Sequence, residues 1–266
     1  MQRGAPVVFV ASVLFFAVAC GPRRLVLPSG GGTPFPDFLP VLTQASSACR
    51  DVRTLTAELA LSGRAGRQRI RGRVIAGFSP TALRLEGVAP FGGPVFLFVA
   101  EGGRGRLLLP RSRQALDAAP ADILDALAGI PLTPDDLRGV MSGCVQPQAE
   151  PLSARAYAGD WLAIELEGGG TRYLRRQEAG SWIILAARYS GLEIEYGDIV
   201  GSAPQRVRIR SAAGSGIATV DLDVRLGQVE VNVDIDPAAF TLEVPPDTTP
   251  ISLEELRAAG PLGAGR

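Results

Sequence analysis

The sequence predicts a mainly β fold with some helix: a single antiparallel sheet, strongly curved into an unclosed barrel, with helices covering or plugging its concave side. Three observations carry that prediction. Apolar residues alternate with period two over most of the chain, Gly/Pro turns separate the alternating runs at short spacing, and two helical patterns interrupt them in mid-sequence. A sheet curved this strongly does not fill its own concave side, so the inserted helices are expected to cover it and enclose an apolar cavity.

The length suits one large β domain or two small ones, and all-β domains of this size are often single. The chain has 266 residues and 46% of them are hydrophobic, enough to bury a sizeable core. Lys+Arg and Asp+Glu both number 27, so no global field draws it to nucleic acid, and every cation is an arginine. Histidine is absent, which removes the commonest general base, the usual hydrolytic triads and most zinc sites. Neither a metal nor a cofactor is expected, and the expected role is not enzymatic.

The chain opens with Gln2-Arg3 and an apolar run from Ala5 to Ala19, the charge and length of a signal peptide and too short to span a bilayer. Ala17-Val18-Ala19-Cys20-Gly21 follows, and small residues before a Cys at this place resemble the bacterial lipobox, with Ala17 where the commonest version has Leu. Residues 1–19 are accordingly read as a removed signal and Cys20 as a lipidation site, its covalent acyl chains being the only non-protein group expected. Several chains on one residue anchor firmly, because each buried methylene contributes about 0.8 kcal/mol. Gly21 in place of an Asp leans toward the outer membrane. Residues 20–36 read as a lipidated N-terminus and Gly/Pro-rich tether, 37–245 as the domain and 246–266 as a tail. Export also places Cys49 and Cys144 in an oxidising compartment, where a disulfide is the default and two buried thiols the alternative.

Within the domain, residues from Asp37 to Arg53 read as a helix. Leu55, Ala57, Leu59 and Leu61 then share one strand face, Gly63 to Gly66 reads as a turn, and Gln68 to Phe78 alternates Ile70, Gly72, Val74 and Ala76 against Arg69, Arg71 and Arg73. Those arginines read as a solvated strand face, with an anion site as the other reading. Ala82–Gly87, Pro94–Glu101 and Gly105–Pro110 continue the meander. Pro120 to Ala128 and Thr133 to Ser142 read as helices, the second with Thr133 as cap, Pro134 at the first position and acids in the first turn. Strands resume at Ala154–Tyr157, Trp161–Glu167, Tyr173–Gln177, Ile183–Arg188, Leu192–Tyr196 and Arg206–Arg210. A long alternation from Val220 to Ile235 changes phase at Gly227-Gln228, by a hairpin or a bulge. A short helix is expected at Ser252–Ala258.

Two stretches resemble a known family. Asp125-Ala126-Leu127-Ala128-Gly129-Ile130-Pro131-Leu132, with Asp136-Leu137-Arg138 and Gly143 beyond it, is similar to the LolB run of Leu-x-Gly-x-Pro, Leu-Arg and a terminal Gly. Ala89-Pro90-Phe91-Gly92 resembles that family's Pro-Leu-Gly loop, with Phe91 where a membrane-inserting Leu stands. The LolA/LolB-type lipoprotein carriers and receptors have an unclosed β-barrel with a helical lid. This chain differs in its long Gly/Pro stretch, its cysteine pair and its tail. The resemblance implies a monomeric, lipid-anchored envelope protein at the outer membrane facing the periplasm. It would bind acyl chains in an apolar cavity, with membrane lipid, an acylated lipoprotein or lipid client and a periplasmic carrier protein as partners. It makes Pro90, Phe91 and Gly92 a membrane-insertion loop. Strand parity offers Leu59, Leu61, Leu83, Leu85, Phe96, Phe98, Leu107 and Leu109 as cavity lining, with plain core packing as their other reading. The competing reading of the whole is a structural envelope lipoprotein with the same fold and a filled core, and the size of the cavity separates the two. The acid pairs Asp135-Asp136, Asp221/Asp223 and Asp234/Asp236 are the only groups an envelope hydrolase would have to recruit.

Overall fold

The computed structural model describes residues 25–89, 93–146, 148–201, 203–260 and 262. In chain order its elements are β1 (Thr33–Pro34), α1 (Phe38–Arg50), β2 (Leu55–Ala65), β3 (Gln68–Phe78), β4 (Ala82–Val88), β5 (Pro94–Glu101), β6 (Arg104–Leu109), β7 (Gln114–Ala118), α2 (Pro120–Ala128), α3 (Pro134–Ser142), β8 (Pro151–Tyr157), β9 (Trp161–Leu166), β10 (Thr171–Arg176), β11 (Trp182–Tyr189), β12 (Leu192–Val200), β13 (Ala203–Ser211), β14 (Val220–Val231), a 3-10 turn (Pro237–Phe240), β15 (Thr249–Pro250) and α4 (Leu253–Ala259). No described helix is long and apolar enough to cross a membrane.

The strands form one sheet in the order β1-β8-β9-β10-β11-β12-β13-β14-β2-β3-β4-β5-β6-β7-β15, open at both ends. Two antiparallel meanders, β2 to β7 and β8 to β14, join where β14 pairs with β2. The last pairing, β15 with β7, is parallel. This is the unclosed, curved sheet that the alternation predicts. Each open edge ends in a two-residue Thr-Pro strand. Proline has no N–H to offer a further strand, so both edges are blunted against pairing with another chain.

Two local expectations change and one open alternative is settled. The turn after β2 is at Gly66-Arg67, since Ala65 still pairs with Gln68. Gly63 remains inside the strand at φ +148°, where a Cβ would stand 2.1 Å from the Asp221 carbonyl, so the residue serves close approach to β14. The phase change at Gly227-Gln228 is a bulge: the pairing jumps from Gly227↔Glu58 to Glu230↔Thr56, and Gln228 has φ +50°. The strand ends at Val231, short of Val233 and Ile235.

The core lies between the concave face and α1, α2, α3 and α4, and includes Leu55, Leu83, Phe98, Leu107, Ile123, Val140 and Ile209. The segments on either side of residues 37–245 also contribute. Leu27 is buried against Trp161, Ala163, Tyr173 and Ala186 in a separate cluster, and Arg155 Nη1 donates to the Gly31 carbonyl at 2.5 Å. Downstream, Ile251, Leu256 and Leu262 enter the main core. The stretch read as a tether is therefore docked at Leu27 and through the β1 pairing, and the stretch read as a tail reaches the core at Ile251, Leu256 and Leu262. A third cluster of Ala82, Val99 and Phe240 sits under the 3-10 turn.

Candidate functional site: the apolar seam under the helices

The helical cover begins with α2, which starts on Pro120, where a missing N–H costs nothing, and ends at Gly129 in the left-handed conformation. Its buried residues Ile123, Leu124, Ala126 and Leu127 recur at helical spacing and face the sheet. In α3 a capping box fixes the start: Asp136 N donates to Thr133 Oγ1 at 3.2 Å, and Thr133 N donates to Asp136 Oδ2 at 3.3 Å. Leu137, Val140 and Met141 face inward. Arg138 Nη1 donates to the Ser79 carbonyl at 2.6 Å, tying α3 to the β3–β4 turn.

Between these helices and the sheet lies a cavity of about 50 Å³. Its wall is wholly apolar: Leu59, Leu61, Val74, Leu85, Phe96, Leu222 and Val224 from the strands, Leu124, Leu127, Ala128, Leu137 and Met141 from the helices, with Ile130 and Leu262. Four residues expected to line it do so: Leu59, Leu61, Leu85 and Phe96. The other four, Leu83, Phe98, Leu107 and Leu109, are buried in the surrounding core and not at the void. Gly87 makes room for Phe96, since a Cβ there would stand 2.3 Å from its ring. The candidate list misses the helical lining and, on the strands, Val74, Leu222 and Val224. The signal was present in Leu124 and Leu127 three apart and in the shared parity of Leu222 and Val224.

Cys49, in the last turn of α1, is bonded to Cys144 just past α3, with Cα atoms 5.6 Å apart across a separation of 95 residues. Beside the bond, Arg172 is only 2% exposed. Its Nε and Nη2 donate to the Val145 carbonyl at 3.1 and 2.8 Å, and Nη2 also donates to the Gln146 carbonyl. Burial lowers its pKa to about 10, so the side chain stays a cation at neutral pH and pins residues 145–146 to β10. Burial likewise pushes the Tyr196 phenol up, opposed by the charge of Arg172.

Five of the six acids in these pairs have structural partners, Asp234 being the exception among the described contacts. Asp136 caps α3, Asp135 pairs with Arg138 at 3.2 Å, Asp221 and Asp223 pair with Arg208 and Arg206, and Asp236 accepts from Ala238 N at 2.9 Å. Among the described residues no group of three potential metal ligands comes together. Cys20, expected as a lipidation site, and Pro90, Phe91 and Gly92, expected as a membrane-insertion loop, lie outside the described residues. Their flanks are visible: Ala89 is buried and Gly93 precedes β5.

No family model matches the chain, and no curated protein matches it in sequence. Solved structures do. A LolA superfamily protein from Nitrosomonas europaea superposes with TM-score 0.52 at 12% identity, over 76% of this chain and 96% of that one. A DUF1329 family protein from Desulfovibrio piger reaches 0.47 at 12% identity, over 76% and 97%. A putative outer membrane lipoprotein-sorting protein domain from Vibrio parahaemolyticus reaches 0.46 at 8% identity, over 76% and 95%. At such identities the likeness is one of fold, and it rests on the first of the three. The chain has the fold of the LolA superfamily.

Proposed function

We propose that this protein is a lipid-anchored envelope protein, held by Cys20, that takes the acyl chain of a lipid or lipoprotein client into the seam between α2 and the concave sheet. The observation that carries the reading is the wall of the cavity, formed without a single polar residue by two layers that are separate in sequence. An acyl chain needs nothing more specific than such a wall, because apolar area leaving water contributes about 25 cal/mol per Å² whatever its sequence.

Occupancy requires the helices to move. A cavity of about 50 Å³ holds one or two water-sized groups, whereas ligand sites run to about 300–1,000 Å³. The described structure is thus a closed state for a carrier. Its moving part is α2 with α4, which are joined to the sheet by apolar packing and a hydrogen bond from Gln68 Nε2 to the Arg257 carbonyl at 3.1 Å, and to each other by the exposed Arg257–Asp125 pair at 2.8 Å. Such a pair contributes at most about 1 kcal/mol. A second reading, a structural lipoprotein with a filled core, is favoured by the same small volume.

One experiment separates them. Protein purified from membranes is examined by mass spectrometry for bound acyl groups, and uptake of a fluorescent fatty acid is measured on the protein and on Leu127→Trp, which fills the seam. The carrier reading expects co-purifying lipid and uptake that falls at least about tenfold, the equivalent of roughly 1.4 kcal/mol, in the variant. Absence of acyl ligand, together with no uptake by the unaltered protein, would establish the filled-core reading.

A further inference from the structure

We infer that the tip of the β2–β3 hairpin is a docking surface for an anionic lipid bilayer. Over the middle of the convex face, arginines are matched by acids. Arg73 pairs with Glu58 at 3.4 Å, Arg208 with Asp221 at 3.0 Å, Arg210 with Glu193 at 2.7 Å and Arg188 with Glu193 at 3.0 Å, while Arg206 bonds Asp223. The pattern stops at the hairpin. Arg64, Arg67, Arg69 and Arg71 are all exposed, and none has a described carboxylate within ion-pair distance. The register sets Arg64 directly opposite Arg69, with Arg71 two residues along on the same face. Asp221, opposite Arg64 on β14, is engaged with Arg208.

Like charges facing each other across strands destabilise a hairpin, so this arrangement costs the isolated protein stability. The chain is formally neutral, so the excess is a local feature and not a by-product of overall charge. Four cations spread over both strands and the turn of one tip match a planar array of phosphates, which engages all of them at once. Each basic residue near an anionic membrane surface contributes about 1 kcal/mol. The tip also stands where the cavity wall reaches the same end of the sheet. Leu61 pairs with Gly72, Leu262 packs 3.6 Å from the Cβ position of Gly72, and the Arg71 N–H donates to the Leu262 carbonyl at 3.0 Å. That this contact serves acyl entry rests on the carrier reading. The docking itself does not.

The test uses the unlipidated protein from Gly21 onward, which retains every described residue, and vesicles of phosphatidylcholine with or without about one-third phosphatidylglycerol. Expected are binding to the anionic vesicles only, loss of binding at high salt, and a loss of roughly 25-fold in the Arg69→Ser/Arg71→Ser double variant, about fivefold per arginine. The same variant should melt no lower than the parent, because it relieves the Arg64–Arg69 repulsion, so lost binding is not lost folding. Equal binding to neutral vesicles, or unchanged binding by the variant, would overturn the proposal. So would capture of soluble polyglutamate without vesicle binding, which would assign the tip to an acidic protein. Fatty-acid uptake on the same samples keeps the two readings apart: docking without uptake refutes acyl carriage alone, and uptake without docking refutes the hairpin's role alone.

Discussion

The two halves of the helical cover are held by different forces. On the α1/α3 side, a disulfide joins the helices, a capping box fixes the start of α3, Arg138 bonds the β3–β4 turn, and Arg172 grips the backbone beyond α3. On the α2/α4 side, α4 has its own capping box, and single hydrogen bonds run from Gln68 Nε2 to the Arg257 carbonyl and from Arg71 N to the Leu262 carbonyl. Among the described residues there is no covalent tie on that side: Leu124, Leu127, Leu256 and Leu262 hold by packing, and the polar link described between the two helices is an exposed ion pair. Directional and covalent bonds resist sliding, while apolar packing costs little to rearrange if another apolar surface replaces it. The difference assigns opposite jobs to two layers that look alike in outline. One fixes the frame, and on the carrier reading the other yields to an acyl chain.

The largest effect should come from the fixed side. Replacing Cys49 and Cys144 by Ser is expected to lower unfolding stability by about 4 kcal/mol, given the 95-residue separation, measured by denaturant titration. It should also erase the contrast, bringing amide exchange in α3 up to the rate in α2. Leu256→Ala, at a fully buried position on the yielding side, is expected to cost about 3 kcal/mol and to raise fatty-acid uptake, because it loosens α4 from α2. A stability loss without faster uptake would show the α2/α4 side to be as rigid as the other. Thr133→Ala removes a cap and should cost about 1 kcal/mol in thermal or chemical unfolding, with uptake unchanged. The smallest effect belongs to Asp125→Asn, which breaks the pair with Arg257. Stability should change by less than about 1 kcal/mol, while α2 exchanges its amides faster.

Most of this frame is legible in the residues. The bounds of α2 and the capped start of α3 follow from Pro120, Thr133, Pro134 and the acids behind them, and period-two alternation locates the long strands. The misses share a physical cause. In β7, Gln-Ala-Leu-Asp-Ala offers one large aliphatic in five residues, too little for a period to show, and β1 and β15 are two residues each. The docking of Leu27 and Leu262 depends on distant surfaces such as Trp161 and Gly72 that local patterning does not report. Strand parity tells which face Leu59 and Leu107 share, but not their depth, so it offers eight lining candidates of which four reach the void. The size of the void is further still from the sequence. It depends on how closely Leu127 and Met141 interlock with Phe96 and Leu222, a property of two layers at once.

The docked N-terminal segment bears on how far the protein could roam. Leu27 is seated against Trp161 and Tyr173, and the described chain begins at Leu25. With an acyl group on Cys20, only four residues, five Cα–Cα steps, would separate the lipidated residue from Leu25, a leash of at most about 18 Å when fully stretched. A domain on that leash would sweep a thin shell along its own bilayer and would not shuttle across a compartment. Any cargo it accepts would have to be brought to it, and any cargo it releases would enter the membrane in which it is itself moored.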